Sequence, residues 1–372
     1  MRQSFDETTD PSFGAKHLPR VRAKMAEQGL DGLLVPHEDE HQNEYLPAAN
    51  DRLAWLTGFT GSAGAGAVLM DRAAVFADGR YTVQVRAQVD PEQFEILDLM
   101  DGGVAAWLER APKGAVIGYD PRLHSPDALA TLKRAAKRAG AELKPVEPNP
   151  LDLAWADERP EQPTAPVVPH EDRYTGETSA SKRARIGAAI ADKGADAAVL
   201  TAPSSIAWLF NIRGGDVIRT PLPLGQAVVR ADGTARLFLD PRKVTNALPG
   251  WLGDAVTLEA PEALPAALDG LSGQRVLIDP AQSSAWYFDR LNAAGATLVR
   301  GADPCALPRA CKNPVEIEGS RQAHIRDGAG VAGLAVQHSR RRRDPHAPAA
   351  GAGGGEGGWH GAAVPRSAQG DQ

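Results

Sequence analysis

Two tandem α/β domains, each a mixed sheet flanked by helices, are the fold predicted by this 372-residue sequence. Three observations lead there. Four blocks recur in the same order, offset by roughly 150 to 165 residues, the mark of an internal duplication. Within each copy, short apolar runs bounded by turn residues alternate with helical segments, as in layered α/β folds. Between the copies lies ERPEQPTAPVVPHED (158–172), where proline removes backbone donors and stiffens the chain. The predicted organisation is a first domain at 1–157, the Pro-rich linker at 158–172 and a second domain at 173–311. A helix at 312–332 and a tail at 333–372 follow.

The elements pair off along the chain. QGLDGLLVP (28–36) and KGADAAVLTAP (193–203) each suggest a helix end followed by a short buried strand. RLAWLTGF (52–59) and SIAWLFNI (205–212) suggest short helices carrying Trp-Leu. GAVLMDRAAVFADGR (66–80) and QAVVRADGTARLFLDPR (226–242) are two apolar runs around a charged turn, a hairpin signal. AVIGYDPRLHSPDALATLKRAAKRAGAEL (115–143) and RVLIDPAQSSAWYFDRLNAAGATL (275–298) each give a strand ending in Asp-Pro, a helix, a glycine turn and a strand. At 312–332, Asn313 suits an N-cap, Pro314 the first helical position, and Glu316 stands three after the cap. From Gly333 the chain is Gly, Ala, Arg, Pro and His without apolar period, so disorder is expected there.

Composition narrows the function classes. An apolar fraction of 42% and a charged fraction of 24% suit a soluble globular chain. A net charge of −6 argues against a general nucleic-acid binder. No apolar run reaches the roughly 18 residues of a membrane span, and the polar MRQSFDETTD start is no signal peptide. Two cysteines, Cys305 and Cys311, without such a signal point to a reducing cytoplasm and to structural or surface thiols.

Few motifs carry chemistry. His37-Glu38-Asp39-Glu40-His41 spells H-E-x-x-H, which on a helix gathers two imidazoles around zinc. Here it follows a buried strand run and Pro36, and no apolar flank holds a helix, so a polar surface loop is expected instead. Gly58, Gly61, Gly64 and Gly66 follow a helix and open a strand, the reverse of a dinucleotide loop, so a tight turn is expected. In Asp78-Gly79-Arg80-Tyr81, Asp78 suits a helix cap, and Arg80 either faces an anionic or carbonyl group or pairs with a local acid. Arg213-Gly214-Gly215-Asp216-Val217 suggests a turn with a local Arg–Asp pair. No G-x-S-x-G elbow occurs, and the basic run Arg340 to Arg343 lies in the featureless tail, where disorder is expected rather than a nucleic-acid or import signal.

Several blocks together resemble a known family. HQNEYLPAANDRLAWLTGFTGSAGAGAV (41–68) with FADGRYTVQ (76–84) resembles the first domain of Xaa-Pro aminopeptidases. AWLFNIRGGDV (207–217) with Pro221 resembles the second domain of their three-domain, cytosolic type, and KNPVEIEGSRQAHIRDGAGVA (312–332) resembles the first helix of their catalytic domain. The resemblance implies two tandem creatinase N-terminal-like domains that shape a substrate entrance and help build a homodimer. It implies an activity that releases the N-terminal residue before proline, using two metal ions, usually Mn2+, that hold a bridging water. Arg80 aligns with an arginine that lines the family's substrate entrance, and His41 and Glu44 match its H-Q-x-E-Y stretch. His37 and Glu38 have no match.

One departure limits what carries over. The family's five metal ligands, two Asp, one His and two Glu, lie in a third, pita-bread domain of about 250 residues beyond that first helix. Only 40 residues follow Ala332 here. The D-x-G and T-D-x-T-R stretches are absent, and no metal ligand has a matching position. The expectation is a chain without catalytic residues, metal pair or peptidase activity, with no nucleic-acid or membrane partner. Its helix at 312–332 is expected to fray without the domain it was made to pack on. A frameshift near codon 332 is the expected origin of the tail. The rival expectations are a non-catalytic dimerisation or binding module, and a zinc peptidase using His37 and His41.

Overall fold

Asp31 and Asp196 show how closely the two halves repeat. Each stands just before a central strand. The Oδ2 of Asp31 accepts the Val116 N–H at 2.8 Å, and the Oδ2 of Asp196 accepts that of Arg275 at 2.7 Å. The computed structural model of the chain describes residues 9–343. The first half contains β1 (Gly32–Pro36), β2 (Gly64–Leu69), β3 (Ala73–Ala77), β4 (Glu95–Asp98), β5 (Val116–Tyr119) and β6 (Glu142–Pro145). The second contains β7 (Val168–Pro169), β8 (Ala197–Leu200), β9 (Ile212–Arg213), β10 (Gln226–Arg230), β11 (Ala235–Phe238), β12 (Val256–Glu259), β13 (Arg275–Ile278) and β14 (Thr297–Arg300).

The two six-stranded sheets have the orders β4-β3-β2-β1-β5-β6 and β12-β11-β10-β8-β13-β14, which is one topology written twice. In the first, β1–β2 and β2–β3 are antiparallel, while β3–β4, β1–β5 and β5–β6 are parallel. The second repeats every pairing sense. Matching strands are offset by 165 residues at Gly32 and Ala197 and by 155 at Glu142 and Thr297. The duplication expected from sequence is therefore present strand for strand.

Helices cover both faces of each sheet, which is why the central strands are apolar throughout rather than alternating. In β1, Leu33 and Val35 pack in a cluster with Leu18 and Val21 of the helix Phe13–Glu27. Leu34 faces the other way, among Leu108 and Leu129 of the helices Gly103–Leu108 and Pro126–Ala139. In β8, Ala198 and Leu200 share one cluster while Ala197 and Val199 share the opposite one. Local chemistry sets the helix limits. Ser125 caps the Pro126–Ala139 helix through the Ala128 N–H, and Gly140 ends it at φ 73°. Gly58 stops the Trp55 helix at φ 84°, where a Cβ would stand 2.6 Å from the Gln88 carbonyl oxygen.

The halves join through a borrowed cap. The first N–H groups of any helix lack partners within it. At the helix Ala285–Ala293, the Ala285 N–H donates to the His124 carbonyl at 2.8 Å, and the Trp286 N–H donates to that of Pro121 at 3.0 Å. Ala285 also packs in the first half's cluster. The stretch expected as a linker, which also supplies β7, adds Arg159 Nε donating to the Ala49 carbonyl at 2.7 Å and Gln162 Nε2 donating to Asn50 Oδ1 at 2.9 Å.

The final helix, Pro314–Arg343, opens with a reciprocal capping box. The Glu316 N–H donates to Asn313 Oδ1 at 3.0 Å, and the Asn313 N–H to Glu316 Oε2 at 2.9 Å. Asn313 Nδ2 donates to the Thr175 carbonyl at 2.7 Å, tying this start to the second half. Among the described residues, those through Glu316 form one compact unit and those from Ile317 belong to another. The helix does not stop near Ala332 as expected but runs on to Arg343. Leu334, Ala335, Gln337 and the arginines favour helix, and Gly333 itself costs only about 1 kcal/mol. Residues 344–372, the rest of the tail expected to be disordered, lie outside the described residues, as do 1–8. No helix among the described residues is long and apolar enough to cross a membrane.

Candidate functional site

The H-E-x-x-H segment is neither a helix nor the exposed loop expected of it. Asp39 is fully buried and organises the turn. Its Oδ1 accepts the N–H groups of His41 at 3.0 Å and Asn43 at 3.2 Å, and its Oδ2 accepts Asn50 Nδ2 at 2.9 Å. His37 Nε2 donates to the Glu44 carbonyl at 2.8 Å, and His41 Nδ1 donates to that of Thr201 at 3.1 Å, in the other half. The burial comes from partners distant in sequence, which a local pattern cannot show. Each imidazole is committed to a separate carbonyl. Among the described residues, no three His, Cys, Asp or Glu are grouped to hold a metal ion. The described residues do not fit a metal pair.

Three stretches singled out from sequence meet at one corner instead. Ser62 Oγ, from the glycine-rich turn, donates to Glu44 Oε1 at 3.0 Å and lies 2.9 Å from the Tyr81 hydroxyl. Arg80 stands beside them, its guanidinium carbon 5.4 Å from the Tyr81 ring centroid. Asp78 caps the turn Gly79–Tyr81, accepting the Arg80 N–H at 3.0 Å and Arg80 Nε at 2.8 Å. This contact holds the Asp78 carboxyl below its ordinary range. The local pair expected for Arg80 therefore exists, yet it uses Nε alone. Nη1 and Nη2 have no partner among the described residues, and the side chain is 64% exposed.

The duplication supplies a control. Arg242 occupies the matching place after β11, with the same contact to its own Asp240. There Nη2 also donates to Asp240 Oδ2, at 2.7 Å, completing a two-pronged pair. Arg242 closes on its carboxylate, whereas Arg80 presents a free fork of donors suited to a carboxylate or carbonyl. Sequence analysis missed Ser62 as the bridge and Arg242 as the counterpart. The second was findable in the aligned D-G-R and D-P-R ends of the hairpin blocks.

A polar cleft of about 300 Å³ opens between the halves, lined in part by Glu40, His41, Arg122, Lys243 and Tyr287. Its charges are already matched. Glu40 takes Arg52 Nη2 at 2.6 Å, and Arg52 also grips Asp152 through Nε at 2.7 Å and Nη2 at 2.9 Å. Burial alone would lower the Arg52 pKa, but Glu40 and Asp152 outweigh it and raise it well above its ordinary value. Lys243 Nζ meets Asp216 Oδ2 at 2.8 Å, and the Leu224 N–H donates to the same oxygen at 2.7 Å. This corrects the expected Arg213–Asp216 pair. Arg213 Nη1 turns to the Ile212 carbonyl at 2.9 Å, because Asp216 is buried against a lysine 27 residues further on. Two residues before Arg122, burial pushes the Asp120 carboxyl up to about 6 despite the Arg122 N–H, the Arg52 charge and the Asn149 amide. Cys305 is buried and Cys311 exposed, both free.

Comparison with known proteins fits the two halves. Residues 17–153 match the family described as Creatinase/Prolidase N-terminal domain, and residues 158–316 match a second family of the same description. Both halves of the chain are creatinase/prolidase N-terminal domains. The chain is also similar to curated relatives. It is 34% identical over 341 residues to the probable Xaa-Pro aminopeptidase P of Coccidioides posadasii (strain C735), covering 88% of this chain and 52% of that protein. To the probable Xaa-Pro aminopeptidase P of Aspergillus fumigatus (strain Af293) it is 33% identical over 328 residues, covering 85% of this chain and 50% of the other. The chain thus spans about half the length of these relatives. The X-prolyl aminopeptidase from Caenorhabditis elegans, described as a cytosolic enzyme with a di-nuclear active site, shares the fold at a TM-score of 0.82 and 24% identity. That likeness covers 88% of this chain and 56% of the other.

Proposed function

We propose that this chain is the two-domain N-terminal part of an Xaa-Pro aminopeptidase, acting in the cytoplasm on peptides with proline in second position. The observation that carries this is the 34% identity over 341 residues to a relative of that name, running through both creatinase domains. In this role the paired domains shape the substrate entrance and contribute to a homodimer. Arg80 offers its free Nη donors to the peptide backbone or carboxylate, backed by the Glu44–Ser62–Tyr81 corner. The Mn2+ pair of the intact enzyme has no fitting residue set among those described. The 372-residue chain alone is therefore proposed to be inactive.

Incubating the purified chain with Arg-Pro-Pro and manganese tests this. No release of arginine is expected, together with a dimer by light scattering. Release of arginine would refute the inactivity. The competing reading, a dimerisation or binding module without a catalytic role, is favoured by the completed charge pairs of the cleft. Joining the chain to the catalytic domain of a relative separates the two. Restored turnover supports the aminopeptidase, and a folded but inactive fusion supports the module.

A further inference from the structure

Beside the first sheet lies a hollow of about 350 Å³ that the proposed function does not use. It opens at the carboxyl end of β1, between that strand and the helix Pro126–Ala139. There β1 is antiparallel to β2 on one side and parallel to β5 on the other. Open α/β sheets bind ligands outside the carboxyl ends of strands, where the strand order switches. The space exists because Ala65 and Ala128 offer only methyl groups to it, while Leu34, Leu99 and Leu132 make it apolar.

Two polar side chains line this space, His124 and Thr131, and only His124 keeps a free acceptor. His124 lines the hollow and is only 5% exposed. Its Nδ1 lies 2.9 Å from the Asp120 carbonyl oxygen. A carbonyl only accepts, so Nδ1 carries the hydrogen and Nε2 is a bare acceptor. Nε2 has no hydrogen-bond partner among the described residues. Burial keeps the ring neutral by pushing its pKa down to about 4. The Thr131 hydroxyl, also at the wall, is spent on the Asp127 carbonyl at 3.3 Å. Among its side chains the hollow thus offers a single free acceptor and no charge, and its size suits a small ligand. No charged side chain lines the wall, so a charged molecule would lose hydration there without gaining an ion pair.

We propose that this hollow binds a small aromatic molecule bearing one hydrogen-bond donor, a phenol or an indole, whose O–H or N–H donates to His124 Nε2. The site also touches the domain junction. The His124 carbonyl caps the second half's helix through Ala285, so a ligand that fixes the His124 ring steadies that cap.

The test titrates the full 372-residue chain at neutral pH with phenol, indole and toluene, which lacks a donor, followed by calorimetry and ligand-observed NMR. Saturable binding of phenol and indole is expected, with toluene about tenfold weaker for want of one hydrogen bond. His124→Phe should erase phenol's advantage over toluene, and Ala128→Leu should abolish binding of all three. Circular dichroism and melting establish that each variant is folded. In the wild-type chain, phenol should slow hydrogen exchange at the Ala285 amide, a readout that needs no variant. No saturable binding of phenol or indole to the wild-type chain would overturn the proposal. So would equal affinity for phenol and toluene, or binding that survives Ala128→Leu in a folded protein.

Discussion

The guanidinium carbon of Arg122 lies 3.9 Å from the ring centroid of Trp286, and this contact closes the junction between the two creatinase domains. Arg122 comes from the turn whose carbonyls cap the Trp286 helix, so one short segment supplies both the cap and the cation. Arg122→Gln should lose about 1–2 kcal/mol of stability, the worth of a partly desolvated cation–π contact. Urea unfolding followed by tryptophan fluorescence measures it. A stability unchanged from the wild type would show that the stacking is incidental.

Lys243 and Asp216 form a buried pair, with side chains 6% and 0% exposed. Lys243→Met should cost about 3–5 kcal/mol by stranding the carboxylate. Adding Asp216→Asn removes the stranded charge yet keeps an acceptor for the Leu224 N–H, and should recover about half of the loss. Equilibrium denaturation of both variants decides this. A double variant no better than the single one would place the damage in packing rather than charge.

Arg80→Ala should leave stability within about 0.5 kcal/mol of the wild type, because the side chain is exposed. In a fusion with a relative's catalytic domain, the same change should lower kcat/KM for Arg-Pro-Pro by roughly tenfold, the loss of one charged hydrogen bond. Arg242→Ala is the matched control and should leave turnover unaltered. Equal effects from the two substitutions would remove Arg80 from the entrance.

Asp120 and His124 should give pH dependences of opposite sign. With a folded pKa of about 6 against 3.8 unfolded, Asp120 favours the folded state when protonated, so its contribution falls by about 3 kcal/mol as pH rises through that window. His124, at about 4 folded against 6.5 unfolded, contributes stability that is lost as pH falls from 6.5 to 4. The two slopes nearly cancel in the wild type. Asp120→Asn leaves the histidine's slope unopposed. The variant should therefore gain stability over the wild type steadily between pH 4 and 6. Denaturation at four pH values reads the difference, and a constant offset would contradict the assignment.

Asn313→Ala should cost about 1 kcal/mol locally by removing the capping box, and it also cuts the tether to Thr175. Hydrogen exchange should speed up at residues 314–317 and nowhere in the two sheets. Gly176→Ala should act in the same direction, since at φ 66° its Cβ would stand 2.6 Å from Asn313 Oδ1. Unchanged exchange in both variants would show that the helix start is held by other contacts.

The duplicated fold was legible because its evidence is local. Apolar runs such as Leu33-Leu34-Val35, caps such as Asn313 and turns such as that at Gly58 announce themselves within a few residues. The candidate site was legible only in pieces. Arg80 and the H-Q-x-E-Y stretch stood out, but Ser62, which joins them, is an ordinary serine until the chain folds. Burial at His37, Asp39 and His41 was invisible because Asn50 and Thr201, which enclose them, lie elsewhere in the sequence. Arg213 was matched to Asp216 by nearness along the chain, and Lys243 won by nearness in space.

The shared helix cap also imposes an order on synthesis. The carbonyls of Pro121 and His124 leave the ribosome well before the Ala285 and Trp286 amides that seek them. Domains generally complete in that direction, so the first half is a finished template when the second half's helix emerges. A circular permutant that made the second half first would deny that helix its cap until translation ended. It should reach the same native state more slowly and with more aggregation along the way.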